Sequence, residues 1–341
     1  MSNQRFTDAL KVKAQATPPV WMMRQAGRYH KHYQALRTKH SFYELCKEPE
    51  LAAQVTLGPI QDFDFDVAIL FSDLLFPLEA LGLGLSYPET GPKLGWHLTP
   101  DTFSKLKPAS EAWKEMEFQK HALKACRAIL PKNKSLIGFV GGPWTLFVYA
   151  TEGSHAGSLI ASKTNLPLYE KFGEVILGVL KKNIELQLEG GAEIVMIFDT
   201  AAGELSPALF QSLIVPHLAK LSQWFPGKVA YYSKGTNVSH YAHALFMGGG
   251  FAGLGFDHRW NLADNLKHFK GGFVQGNFDQ SLLFLSKNDL NRELDRYFEP
   301  FLRLTEEERA GWVCGLGHGV LPKTPEENVR FFVQKVREVF K

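Results

Sequence analysis

The sequence predicts an α/β fold, specifically a (β/α)8 TIM barrel. Two observations predict it. Short apolar, β-branched runs recur along the 341 residues, and helical patterns separate them. Continuous apolar runs suit strands buried on both faces, as in parallel sheets. Second, polar residues with small neighbours follow nearly every run, where a parallel barrel places its chemistry. Roughly eight strand–helix units in a chain of this length favour a closed barrel over an open sheet. No linker, low-complexity tract or internal repeat interrupts the chain, so residues 1–341 read as one domain.

Taken in order, PVWMM (19–23) is a candidate first strand, followed by DVAILF (66–71), SLIGFV (135–140), AEIVMIF (192–198), KVAYYS (228–233), FAGLGF (251–256), GGFVQG (271–276) and GWVCGL (311–316). GLGLSYPETGPKLGWHL (82–98) reads as a hairpin insertion beside the first of the seven later strands. LYEKFGEVILGVLKKNIELQLEGG is helical and stops at glycines. SPALFQSLIVPHLAKLSQWF opens with Ser206 as N-cap and Pro207 at the first helical position. TPEENVRFFVQKVREVF predicts a capping box between Thr324 and Glu327. A helix is also expected around His240 and His243.

Composition narrows the function classes. Charged residues make up 21% of the chain and net charge is +3, without a Lys/Arg run, so nucleic acid is not an expected partner. No stretch approaches the ~18 consecutive apolar residues of a membrane helix. The polar start, MSNQRFTDALKVKAQ, has no apolar signal core, and three scattered cysteines form no disulfide pattern. A cytoplasmic location is expected. His30 with His32, and His240 with His243, lack further ligands at metal-binding spacing. Walker, GxSxG and HExxH sequences are absent, and GGGFAGLG (248–255) leads into a strand, the wrong order for a dinucleotide loop. The expectation is no metal and no organic cofactor.

The candidate site residues lie just past the strands. They include Asp73, the Gly141-Gly142 turn that leads to Tyr149, Asp199-Thr200, Lys234, Asp257, Asn277-Phe278-Asp279 and His318. Each has a plain structural alternative. Asp73, Asp199 and Asp257 can cap helices, Tyr149 can be core, and His318 can bond to its own loop. Arg24 and Arg28 sit four apart around Gln25, Ala26 and Gly27, delivered by an apolar lead-in that surface arginines seldom need.

PVWMMRQAGRY, ELCKEPELAAQVTLGPI, AILFSDLLFPLEALGLGL, GFVGGPWTLFVYATEG, QGNFD and GLGHGVLP occur in this order. Together they closely resemble the uroporphyrinogen decarboxylase family, over essentially the whole chain. The resemblance implies a (β/α)8 barrel, usually a homodimer. It implies cofactor-free removal of carbon dioxide from the four acetate side chains of uroporphyrinogen III, giving coproporphyrinogen III in haem biosynthesis. The residues that carry over as substrate-binding are Arg24, Gln25, Ala26, Gly27, Arg28, Asp73, Tyr149, Thr200 and His318. Asp73 is the expected transition-state stabiliser and Arg28 a candidate proton donor. Thr200 stands where many members have serine. HKHY after the arginine loop, KLGWHL near residue 93 and YYSKGTN also depart from the family pattern, all at the rim of the site.

The residue types fit that chemistry. Guanidinium forks grip carboxylates bidentately, which answers the eight carboxylates of such a substrate. A pyrrole that must serve as its own electron sink becomes cationic, and a carboxylate in a dry site stabilises that charge. Two rivals remain: a zinc-dependent methyltransferase on the same barrel, which needs a His-x-Cys pair absent here, and a non-catalytic tetrapyrrole carrier.

Overall fold

The computed structural model describes residues 2–88, 91–269 and 271–341. Seven strands form one parallel, curled sheet: β1 (Val67–Ile69), β2 (Ser135–Gly141), β3 (Val195–Phe198), β4 (Val229–Tyr232), β5 (Gly253–Gly255), β6 (Phe273–Phe278) and β7 (Trp312–Leu316). Their order in the sheet is their order in the chain, and every neighbouring pair is parallel. Each predicted run from residue 66 onward contains one of these strands.

Segment 19–23 runs between the two outer strands. Trp21 N–H donates to the Cys314 carbonyl at 3.1 Å, and Cys314 N–H donates to the Pro19 carbonyl at 2.9 Å. On its other side Asp66 N–H donates to the Val20 carbonyl at 3.0 Å. Val20 and Cys314 form a parallel bridge.

Strand residues alternate between two apolar layers, as a pleated chain requires. Trp21, Met23, Val67, Ile69, Ile137, Met196, Ala230, Tyr232, Phe273 and Val313 pack together on the inner face, with Phe6 and Ala9 of the N-terminal helix. Val20, Met22, Ala68, Leu136, Val195, Ile197, Val229, Tyr231, Trp312 and Cys314 face outward into the helical layer. Because both faces are buried, the runs look continuously apolar in the sequence.

The outer layer includes α1 (Pro49–Phe63), α2 (Glu117–Ile129), α3 (Pro143–Glu152), α4 (Leu166–Glu189), α5 (Val215–Trp224), α6 (Lys287–Leu302) and α7 (Glu326–Val339). α4 stops at Gly190, with Gly191 at φ 107°. Ser206 does act as an N-cap, accepting from Leu209 N–H at 3.3 Å, and a π-helical segment over 210–214 joins that turn to α5. The 82–98 insertion is an antiparallel ribbon, Leu85–Ser86 against Lys93–Leu94.

Two local expectations fail. Thr324 does not cap α7: its hydroxyl turns back to the Leu321 carbonyl at 2.8 Å, and Pro325 takes the cap position without a side-chain bond. A capping box occurs instead at Ser41 and Glu44. His240 and His243 do not share a helix. His240 lies in a turn with Nε2 3.0 Å from the Leu205 carbonyl, and His243 caps the short helix Ala244–Met247 through Leu245 N–H. Glycines at 248–250 leave too little helix-forming sequence to extend it.

Candidate active site

The site is assembled where the chain leaves the C-terminal ends of the parallel strands. Arg24 follows segment 19–23, Asp73 follows β1, Tyr149 stands on α3 after β2, Thr200 follows β3, Lys234 follows β4, and His318 follows β7.

Arg24 is delivered by a break in the strand. Trp21 and Met23 face inward and Met22 outward, so continued alternation would send Arg24 outward. Instead Arg24 adopts φ 55°, a left-handed conformation that costs a non-glycine residue roughly 1–2 kcal/mol. Gly319, beside His318, accommodates the redirected stem. A Cβ there would stand 2.5 Å from Arg24 Cδ and 2.7 Å from Cγ. Next to it, Gln25 is buried. With its amide oriented to suit its surroundings, it donates to the Val67 carbonyl at 3.2 Å and accepts from Ile69 N–H at 3.3 Å. Its side chain therefore completes the exposed edge of β1. Ala26 packs against the apolar cluster of Tyr33, Leu45 and Phe71, and Gly27 accepts from His30 N–H at 2.9 Å. Arg24 and Arg28 are both exposed, and Arg28 acts weakly on the Tyr33 phenol.

Asp73 is largely sheltered. Its Oδ1 accepts from Leu75 N–H at 2.8 Å, a turn bond, whereas the helix Phe76–Ala80 that follows has Leu75 at its N-cap and no side-chain cap. Burial pushes its carboxyl above the usual range, while the Leu75 N–H, the neighbouring Tyr87 hydroxyl and the Arg24 guanidinium all favour the anion. Glu79 adds repulsion. The Tyr87 hydroxyl lies beside this carboxylate, is itself buried, and reaches no atom in good hydrogen-bond geometry. Its ring is held 4.6 Å from that of Phe42.

Tyr149 shares the field of Asp73 and Arg24. Burial, then the Asp73 charge, push its phenol up to about 12, against the pull of Arg24. Its hydroxyl lies 2.7 Å from His155 Nδ1. His318 stacks on Tyr232, ring planes within 15°, and its Nδ1 is 3.0 Å from the Tyr232 hydroxyl. That hydroxyl also donates to the Gly317 carbonyl at 2.8 Å. Burial, then Arg24 and Lys234, push the His318 imidazole down to about 3. Thr200 is partly buried beside Asp199. Asp199 is fully buried and accepts from Thr145 N–H at 2.7 Å, which ties the start of α3 to the end of β3. Asp257 accepts from Gly235 N–H at 2.6 Å and from the Arg259 guanidinium at 2.6 Å. Both aspartates thus hold loops and are not free groups.

Arg24, Asp73, Tyr149 and His318 share one electrostatic neighbourhood, in which Arg24 acts on the other three. Several neighbours have no sequence signal of their own. Tyr87 and His155 lie on loops whose position depends on distant contacts. Phe139, within β2, and Phe198, at the end of β3, are partly exposed on the inner face, rings 5.7 Å apart, with Phe198 6.0 Å from Tyr232. These three rings form an aromatic wall beside the charged groups. Inward alternation along strands 135–140 and 192–198 was the signal available for the two phenylalanines.

Metal ligation has no foundation among the described residues, where no group of three or more His, Cys, Asp or Glu is placed to hold an ion. Cys314 is buried in β7, and burial drives its thiol well up, away from the thiolate a zinc site needs. His30 Nε2 pairs with Asp62 at 2.6 Å behind the site, a structural contact.

The profile described as "Uroporphyrinogen decarboxylase (URO-D)" matches residues 1–339. The chain belongs to the uroporphyrinogen decarboxylase family. It is 34% identical to "Uroporphyrinogen decarboxylase" of Solibacter usitatus, over 98% of this chain and 97% of that protein. It is 32% identical to the protein of the same name from Thermus thermophilus, over 94% of each. Among solved structures, a methyltransferase from Methanosarcina mazei superposes with a TM-score of 0.79 at 18% identity, covering 99% of both chains. That likeness speaks to the fold alone.

Proposed function

We propose that this protein decarboxylates uroporphyrinogen III at its four acetate side chains, giving coproporphyrinogen III, without cofactor or metal. The observation that carries the reading is Asp73 itself: one sheltered carboxylate, with the Tyr87 hydroxyl and the Arg24 charge favouring its anion and Glu79 opposing it, beside Tyr149. The pyrrole N–H groups of a tetrapyrrole match such a carboxylate, and the peripheral carboxylates match Arg24 and, when protonated, His318.

In the reaction a ring carbon of the pyrrole takes a proton and the ring becomes cationic. The acetate C–C bond then breaks, its electron pair flows into the ring, and carbon dioxide leaves. The exposed methylene takes a proton to become methyl, and the ring carbon returns its own. Net, one proton replaces one carbon dioxide. Asp73 accepts hydrogen bonds from the pyrrole N–H groups and stabilises the cation, a fixed charge in a water-poor setting. The aromatic wall of Phe139, Phe198 and Tyr232 fits a flat hydrophobic ring and keeps water away. Arg28 is a candidate proton donor, and Arg24 and Tyr149, whose fields couple to Asp73, are the others.

The closed (β/α)8 barrel belongs to the same reading. Segment 19–23 has sheet-type hydrogen bonds to β7 and to the residue before β1, which is what an eighth strand would make. One domain, a homodimer and a cytoplasmic setting accompany the family resemblance. The three free, buried cysteines suit a reducing compartment, and no helix among the described residues is long and apolar enough to cross a membrane.

The test is anaerobic incubation with uroporphyrinogen III and chromatography of the oxidised products. Seven-, six-, five- and four-carboxyl porphyrins should appear in sequence. Asp73→Asn should lower turnover at least 100-fold, the scale of losing one preorganised charge-stabilising group. Near-normal turnover by that variant would remove the electrostatic role given to Asp73.

A further inference from the structure

We propose that His155 is a further substrate-binding residue, taking up a proton as it receives a carboxylate of the tetrapyrrole. This rests on the function proposed above and adds a residue to the same site. His155 lies on the loop after α3, between two glycines in the left-handed region, Gly153 at φ 78° and Gly157 at φ 83°. The loop is pinned at both ends. At its start, His97 of the inserted ribbon bonds to the Thr151 carbonyl at 2.9 Å, and Leu98 N–H donates to the Ala150 carbonyl at 2.7 Å. Beyond it, Ser162 N–H donates to Glu152 Oε1 at 2.9 Å, and the Ser162 hydroxyl meets that of Thr151 at 2.8 Å. A hinged but tethered loop can move its middle without losing its place.

The imidazole is fixed to the site through Tyr149. The Tyr149 hydroxyl is 2.7 Å from His155 Nδ1, and the two rings are 5.5 Å apart. The other ring nitrogen is left for a ligand, and the residue is exposed at the mouth. The charged and titratable groups that act on it are Arg24 from the segment before α1, Lys234 from the turn after β4, and Glu204 from the turn after β3. His318 from the turn after β7 shares its field. Partial burial first, then Arg24 and Lys234, lower the pKa of the free imidazole, and Glu204 opposes them. A ligand carrying several carboxylates reverses that balance. It neutralises these two cations and rewards a third positive charge, so binding and protonation reinforce each other.

The test uses uroporphyrin, the oxidised octacarboxylate, as a non-reacting probe. Its affinity is measured by fluorescence between pH 6 and 9 with the wild type and His155→Gln. Proton uptake on binding is measured by calorimetry in buffers of different ionisation enthalpy. Glutamine keeps a hydrogen-bonding group but cannot titrate. The wild type should take up more protons than the variant, by up to about one per site, and its affinity advantage should shrink roughly tenfold per pH unit once the imidazole is neutral. Equal uptake and equal affinity across the range overturn the proposal, as does failure of the wild type to bind uroporphyrin. Thermal melts show whether the variant is folded, and Tyr149→Phe gives a second reading. It keeps the imidazole, so uptake should persist while affinity falls. Failure of wild-type turnover with good uroporphyrin binding would instead count against the decarboxylase reading and leave His155 testable.

Discussion

At the scale of single residues, charge at Asp73 depends on a neighbour that no motif announces. Tyr87 brings a hydroxyl to a carboxyl that burial otherwise pushes toward neutrality. A hydroxyl that donates to the anion lowers the carboxyl's pKa, and removing it raises the pKa further. The active form of Asp73 is the anion, so activity is retained above its pKa and lost as pH falls through it. Tyr87→Phe should therefore move the acid limb of kcat/KM to higher pH. The hydroxyl lies beside the carboxyl without good hydrogen-bond geometry, so the loss should be modest, roughly 3-fold on the acid side, and small at alkaline pH. A pH–rate profile whose acid limb does not move would separate Tyr87 from the site. His318 carries the opposite sign. Its folded-state imidazole sits at about 3, below the ~6.5 of an unfolded chain, so the unfolded state binds the extra proton between those values. Stability from this residue is present above about 6.5 and drains away as pH falls toward 3. His318→Gln should consequently lose less Tm than the wild type between pH 7 and pH 5 in thermal melts.

At the scale of elements, two glycines in loops next to the site separate positioning from folding. A Cβ at Gly319 meets the mid-stem of Arg24, a flexible and exposed side chain. Gly319→Ala should leave Tm within a few degrees of the wild type while raising KM, by about tenfold if one carboxylate contact worth roughly 1.5 kcal/mol is lost. A Cβ at Gly142 instead falls 2.3 Å from Cβ and Cγ of Asp199, which is buried and bonded to the first turn of α3. Gly142→Ala has nowhere to displace that carboxylate and should unfold the protein at markedly lower temperature, seen in the same melts. The elements were largely legible in the sequence because burial on both faces writes a strand as one apolar run, as in SLIGFV and AEIVMIF. Segment 19–23 was legible for the same reason. Caps were less so. Thr324 with Glu327 has the right spacing, but Pro325 occupies the cap position and the threonine hydroxyl is drawn back into the preceding turn. The site was half legible. Arg24, Asp73, Tyr149 and His318 stand out because they follow strands or belong to family motifs. Tyr87, His155 and the inward Phe139 and Phe198 owe their places to long-range packing, which local pattern does not encode. The left-handed φ of Arg24 is likewise invisible in the motif that carries it.

At the scale of the whole molecule, the question is what ties segment 19–23 to the two edge strands of the sheet. Asp66 is 2% exposed and sits just before β1. It accepts from Val20 N–H at 2.7 Å, Asn3 Nδ2 at 3.1 Å, Arg5 at 3.3 Å and Arg337 of α7 at 2.5 Å. One carboxylate thus fastens the N-terminal helix, segment 19–23 and the last helix to the first strand. These contacts are distant in the chain, so they form only when the two ends of the sheet meet. Removing the carboxylate strands the buried Val20 N–H and leaves Arg337 facing an empty acceptor. Loss of one partner from a buried ionic group costs about 3–5 kcal/mol. Arg5 is nearly half exposed and recovers water, which argues for the lower end. Asp66→Ala should then lower stability by about 3 kcal/mol in urea unfolding. Segment 19–23 also delivers Arg24, so the folded fraction of the variant should show a raised KM as well as a reduced Tm. An Asp66→Ala protein with an unchanged urea midpoint would mean that Asp66 is not what holds the two edges of the sheet to segment 19–23. A variant that loses stability but keeps its KM would show that Arg24 is held by Gly319 and Gln25 alone, with the closure serving only the fold.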